Sequence, residues 1–171
     1  QVLVSVIENN KNKPVKIRST NGVLVNGVVD VNVRFSRCCS PVPGDEIVGF
    51  ITRGRGISIH RTDCVNVIAL PESEKSRLVD VEWQQESFHS NEKFMAEIKI
   101  FCNNRIGIFA DISKIFTERE IDIASMSSKT SKQGTATINM SFEVGGVDAL
   151  QQLINRLMAV NSVIDIERSN G

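Results

Sequence analysis

Cys38, Cys39, His60 and Cys64 are the residues of this chain whose types and spacing carry chemistry. Cys38-Cys39 is followed by Ser40-Pro41-Val42-Pro43-Gly44-Asp45, where prolines and a glycine force a sharp reversal. His60-Arg61-Thr62-Asp63-Cys64 then returns an imidazole and a thiol at an H-x3-C spacing from which both reach one ion. Three thiolates and one imidazole are the closed tetrahedral ligand count of a structural zinc site, with no open position for water. Neighbouring strand side chains point to opposite faces, so the adjacent cysteines share an ion only where the backbone kinks. If one of them is instead buried as a small hydrophobe, Asp63 is the fallback ligand. The plainer alternative, reduced thiols in a small core, stays open on spacing alone. A vicinal Cys38–Cys39 disulfide is strained and is the weaker reading. A Cys–His thiol enzyme is set aside: Asp63 could orient, but the nucleophiles are too many and the glycine turn nearby lacks a helix N-terminus.

The elements that must position these groups are short strands. Asn21-Gly22 and Asn26-Gly27 are turn signals between Val-rich runs, and Val31, Val33 and Phe35 alternate with Asn32, Arg34 and Ser36. Residues 46–52 and 57–60 read as two strands joined by the turn Arg53-Gly54-Arg55-Gly56. The stretch 78–83 alternates as one further strand, and 84–92 reads as a polar loop in which His89 is exposed. Beyond it the pattern is regular. Phe94, Ala96, Ile98, Ile100 and Cys102 fall on one face of a strand, which makes Cys102 a core residue rather than a ligand. Ile108, Ile112, Ile115 and Phe116 form a helical stripe, as do Val147, Leu150, Leu153, Ile154, Leu157 and Met158. Strands are expected at 121–128, 135–144 and 163–167. The order is βαββαβ, the ferredoxin-like arrangement of two helices on a four-stranded antiparallel sheet. RNA-recognition motifs share that topology but stack bases on aromatics of the third strand; here residues 135–142 hold one aromatic and no basic residue, so base stacking on this sheet is discounted.

Composition bounds the rest. The 171 residues are 41% hydrophobic and 23% charged, near the globular average, which excludes collagen, low-complexity disorder and a disulfide scaffold. No run approaches the ~18 apolar residues of a membrane span. Residues 1–8 lack the basic start of a signal peptide, and the first residue is Gln1 rather than Met, so the chain reads as part of something longer. The zero net charge hides asymmetry. Residues 1–70 carry 9 Lys+Arg and 5 Asp+Glu (+4), residues 71–93 carry 3 and 6 (−3), and residues 94–171 carry 8 and 9 (−1). The acidic, Pro-started stretch at 71–76 marks a joint between a basic first part and a nearly neutral second part. The expected organisation is a preceding element or linker over 1–14, a β-rich cysteine module over 15–83, a linker over 84–93 and a ferredoxin-like domain over 94–171, an α+β chain overall.

Arg34-Phe35-Ser36-Arg37-Cys38-Cys39-Ser40-Pro41-Val42-Pro43-Gly44-Asp45, continuing through Gly49, residues 52–61 and Asp63-Cys64, resembles the conserved-cysteine or zinc-finger module of long RelA/SpoT homologues. Residues 94–168 resemble the ACT domain that follows it in those proteins. The likeness covers roughly 15–70 and 94–168, in the family's order. It implies structural zinc on Cys38, Cys39, His60 and Cys64. The family makes, and in many members hydrolyses, the alarmone (p)ppGpp with domains N-terminal to these modules. The resemblance therefore implies a non-catalytic regulatory tail, cytoplasmic, acting on upstream catalytic domains. ACT domains often bind amino acids at the turn between first strand and first helix, here Asn103, Asn104, Gly107 and Ile108, where a helix N-terminus offers free N–H groups to a carboxylate. The family's D-R-P-G outline is replaced by Asn104-Arg105-Ile106-Gly107. Tail modules of this family contact the ribosome with deacylated tRNA in the A site. Arg34, Arg37, Arg53, Arg55 and Arg61 are the candidates for phosphate contacts with rRNA or tRNA, or else a solvated rim. A homodimer through the ACT sheet is a further expectation. The alternative is an amino-acid-sensing ACT module with a structural zinc module in an unrelated regulatory protein.

Overall fold

The computed structural model describes residues 16–18, 22–26, 32–88 and 91–171. The turn signal at Asn26-Gly27 continues into residues outside this set, as do His89 and the stretch 1–14.

The second half forms as its periodicities dictate. β8 (Phe94–Asn103) and β10 (Thr135–Val144) alternate buried and exposed along their whole length and pair antiparallel, Phe94 against Val144 through Asn103 against Thr135. β9 (Ile123–Thr130) adds to the outer side of β10 and β11 (Val163–Arg168) to the outer side of β8, giving the sheet order β11-β8-β10-β9. Helices α3 (Ile108–Glu118) and α4 (Val147–Met158) cover one face. Each buries the stripe its spacing announced: Ile108, Ile112, Ile115 and Phe116 on α3, and Leu150, Leu153 and Leu157 on α4. Of the rest of the second stripe, Val147 and Ile154 are half-buried, and Met158, the last residue of α4, is exposed. This is the expected ferredoxin-like fold, and Cys102 is fully buried in its core.

The first half is β-rich with two minimal helices. β4 (Ile47–Ile51) and β5 (Ile57–Arg61) form an antiparallel hairpin, and β3 (Val33–Phe35) runs parallel to β5 on its other side. β1 (Lys16–Arg18) and β2 (Val23–Asn26) begin a second small sheet. The expected strand over 78–83 is two strands. β6 (Leu78–Val79) pairs with β4, and β7 (Val81–Trp83) pairs with β2, so the chain changes sheets at exposed Asp80 while the alternation runs on unbroken. The single-turn helices are α1 (Val65–Ile68) and α2 (Glu72–Lys75). The stretch expected to be a polar loop contains a 3-10 turn, Gln85–Phe88, in which buried Ser87 donates to Gly22 O at 2.8 Å.

The hairpin turn supplies a contrast between two glycines. Both have left-handed φ, +85° at Gly54 and +74° at Gly56. A methyl on Gly54 meets open space, whereas one on Gly56 would lie 2.0 Å from Asn32 O, a carbonyl fixed by the Ile57 N–H at 2.8 Å. Gly54→Ala is therefore expected to cost about 1 kcal/mol, the left-handed penalty alone, and Gly56→Ala about 2 kcal/mol or more. Denaturant unfolding of the two variants side by side checks the difference.

The halves share one core. Phe35 of β3, Trp83 of β7 and Phe94 of β8 pack mutually, with ring centroids 5.5–5.6 Å apart. The Val147 N–H, at the start of α4, donates to Pro43 O at 2.8 Å. Among the described residues no helix is long and apolar enough to cross a membrane.

Candidate metal centre

Three segments deliver four donors. After β3 the chain turns through 37–39 and leaves by Ser40, whose φ of +44° is unusual for a residue with a side chain. That turn is the kink the adjacent cysteines require, and it aims both thiols the same way. His60 comes from β5, with Ser58 two residues earlier on the same strand face. Cys64 is the residue before α1, and its carbonyl accepts from Val67 and Ile68.

The donor atoms of Cys38, Cys39, His60 and Cys64 all lie within 4.8 Å of one another. Cys38 Sγ is 3.3 Å from His60 Nδ1, 3.5 Å from Cys64 Sγ and 3.9 Å from Cys39 Sγ, and Cys39 Sγ is 3.8 Å from His60 Nδ1. A tetrahedron built on metal bonds of about 2.0–2.3 Å has edges of about 3.5–3.8 Å, so the spacing suits four ligands around one ion. The next layer orients them. His60 Nε2 faces Ser58 Oγ at 3.1 Å, a partner that leaves Nδ1 to face the thiols. The Arg61 backbone N–H donates to Cys39 Sγ at 3.3 Å, and Ser36 Oγ lies 3.0 Å from Cys38 Sγ.

Electrostatics without a cation pull the thiols apart. Burial would raise Cys38, but hydrogen bonds from Ser36, Asn66 and Cys64 outweigh it and hold it below a free thiol. Burial pushes Cys39 up to about 12, with its two thiol neighbours adding to the rise. Burial and the hydrogen bond with Cys38 also raise Cys64, and burial lowers His60, favouring the neutral imidazole that ligates. One thiolate is stabilised and three together are not. A divalent cation supplies the missing countercharge, so the cluster can hold a metal ion and would release protons on binding it.

Asp63 is not among the donors. Its carboxylate takes a bidentate pair from Arg61, Nε to Oδ1 at 2.8 Å and Nη2 to Oδ2 at 3.0 Å, which also holds it below the usual carboxylate range. Arg61 itself corrects the expectation that it faces nucleic acid. It is 5% exposed, and its Nη1 donates to Cys39 O and Ser169 O, both at 3.1 Å. Arg34, Arg37, Arg53 and Arg55 are exposed. Arg34 and Arg37 line a groove of about 790 Å³ at the module junction together with Lys93, Phe94 and Met95.

At the turn before α3, Asn103, Asn104 and Gly107 are exposed, and Gly107 has a φ of +85°. Ile108 differs from the expectation: its side chain is fully buried in the core, leaving only its main chain at the turn. Arg105, which sequence reasoning passed over, occupies the turn instead. It donates to Asp111 Oδ2 at 2.7 Å, Asn161 O at 2.9 Å and Ile106 O at 3.1 Å. Ser58 was also missed, although its position two residues before His60 on a strand was a usable signal. Asp45 and Arg168, which support the cysteine loop, left no local signal.

Family models match both halves: a RelA/SpoT RIS domain over residues 23–84 and an ACT domain over residues 90–168. The molecule is thus a cysteine-bearing RIS module joined to an ACT domain, a regulatory pair. A GTP pyrophosphokinase of Streptomyces coelicolor is 37% identical over 86% of this chain and 17% of its own length. One of Escherichia coli K12 is 37% identical over 87% of this chain and 20% of its own length. Among solved structures, the crystal structure of the ACT domain from a Chlorobium tepidum GTP pyrophosphokinase is 26% identical, covers 45% of this chain and 99% of that one, and has a TM-score of 0.41. This chain belongs to the RelA/SpoT family, as its regulatory RIS–ACT region, and spans about a fifth of the length of the curated relatives it matches.

Proposed function

We propose that this region carries ribosome and tRNA status to the (p)ppGpp synthetase and hydrolase domains of its parent protein in the stringent response, in the cytoplasm, with zinc fixing the RIS loops. The observation that carries the reading is the four-donor cluster beside an exposed basic rim, within a chain that holds regulatory modules of this family and spans about a fifth of its relatives' length. Small β modules with little core of their own gain order from such a metal. Arg34, Arg37, Arg53 and Arg55 provide point charges for rRNA or A-site tRNA phosphates, and Arg61 does not. Reversing Arg53 and Arg55 together, R53E/R55E, is expected to abolish ribosome-dependent (p)ppGpp synthesis by the full-length protein and leave its zinc content unchanged. Intact ribosome-dependent synthesis would sink the RNA reading.

A metabolite input rests on the turn before α3, where Gly107 is exposed but the N–H groups of Asn103, Asn104 and Ile108 already donate to Ser162 O, Gly134 O and Arg105 O, so Arg105 is the group that would meet a carboxylate. An amino-acid carboxylate there must displace the Arg105–Asp111 pair or bind Arg105 itself. Calorimetric titration with branched-chain amino acids tests it, and neither heat nor a melting shift would count against a sensor. The exposed edge strand β9 is the surface for an ACT homodimer, which sedimentation of the isolated chain measures.

A further inference from the structure

Three consecutive residues at the end of the ACT domain touch, in turn, each of the three segments that deliver the metal donors. Arg168, at the end of β11, makes a bidentate pair with Asp45, Nη1 to Oδ1 at 2.7 Å and Nη2 to Oδ2 at 2.8 Å, and its Nη2 also reaches Ser40 O at 3.3 Å. The two side chains are only 19% and 9% exposed. Asp45 closes the loop that begins at Cys38-Cys39: its carboxylate accepts the Val42 N–H at 2.8 Å, and its carbonyl accepts Trp83 Nε1 at 3.0 Å. Ser169 O accepts from Arg61, the neighbour of His60, whose guanidinium and backbone both bind Cys39. Asn170 O accepts the Val65 N–H at 2.8 Å, next to Cys64. None of the three is a ligand, and all are far from the donors in sequence.

We propose that residues 168–170 are a closing strap of the metal centre, so that metal binding and the docking of the ACT domain on the RIS module are a single coupled equilibrium. The inference rests on the zinc reading above. Four donors from three segments must be ordered together before they can share an ion, and the strap holds all three segments at once. Whatever factor the strap adds to metal affinity, the metal adds to strap docking, because the coupling free energy is reciprocal. β11 is an edge strand, bonded within its sheet only to β8, so its end can release without opening the centre of the ACT sheet. A ribosomal contact on the RIS rim or a ligand on the ACT domain would then be felt by the other module through this seam.

The test uses the whole chain. Zinc affinity is measured by competition with a chromophoric chelator for wild type, Arg168→Ala and Arg168→Lys, with circular dichroism as the folding control. Hydrogen exchange of the wild type is followed with zinc and after chelation. Arg168→Ala is expected to weaken zinc about tenfold or more, and Arg168→Lys, which keeps the charge and loses the bidentate fork, by a smaller factor. Chelation is expected to raise exchange at Val65 and at residues 168–170 while α3 stays protected. Affinities within twofold of wild type in both variants, or unchanged exchange at 168–170 on chelation, overturn the strap while leaving zinc in place. A wild-type chain that takes up no zinc overturns the metal reading itself and the strap with it.

Discussion

Replacing Cys64 with serine is expected to reduce bound zinc from one equivalent to none and to destabilise the protein by about 3 kcal/mol or more, a fall of ~6–12 °C in Tm for a chain of this size. Cys64 is fully buried, its Sγ lies 3.5 Å from that of Cys38, and it stands at the entry to α1. A serine hydroxyl is a poor substitute for a thiolate. The remaining two cysteines and His60 would then stand in a half-buried site with an open position, and the energy the metal gives to folding would be largely lost. Element-resolved metal analysis and thermal melting read the two effects separately. Cys102→Ser is the control, because Cys102 is equally buried but sits on β8 with its Sγ directed at Ala136 O, 3.7 Å away. It should keep the full zinc content and lose little stability, since the hydroxyl inherits that carbonyl partner. Equal zinc in wild type and Cys64→Ser would exclude the four-ligand centre.

The four-donor cluster and the ACT fold left their marks in the sequence as residue type and spacing. Two helical stripes and two ten-residue alternations fix faces and registers without reference to anything distant, and the H-x3-C return after a proline-kinked Cys-Cys brings donors together by short-range geometry. What was not legible depends on partners far along the chain. Arg61 reads as one more rim charge beside Arg53 and Arg55. Its burial follows from Asp63 on one side and two carbonyls on the other, one of them Ser169 O, which no neighbouring residue announces. Asp45 and Arg168 are 123 positions apart, and a lone arginine at a strand end is ordinarily solvated. The change of sheet at Asp80 was hidden because β6 and β7 preserve a single alternation, and pattern alone does not say which neighbour a strand takes. The Ser87 contact with Gly22 was hidden because a buried serine in a polar stretch looks like a loop residue until its carbonyl partner is seen.

Phe142→Ala is expected to cost about 3–5 kcal/mol, and its effect should reach both modules. Phe142 is fully buried on β10, opposite Ala96 of β8 and Ile123 of β9, and its ring meets that of Phe116 on α3 edge to face at 5.1 Å. Truncation leaves a ring-sized void between sheet and helix and removes the aromatic pair as well. The cavity lies in the ACT domain, but the core continues without a break into the RIS module. Phe94, on the same strand as Ala96, packs edge to face on Trp83, whose indole N–H holds Asp45 in the cysteine loop. Trp83 is the only tryptophan, so its fluorescence reports the RIS side while far-UV circular dichroism is dominated by the ACT helices. In the zinc-loaded protein both signals should shift to lower denaturant together, with a common midpoint. A dichroism midpoint that falls while the Trp83 transition stays at its wild-type position would mean that the modules unfold separately and that the shared core does not couple them.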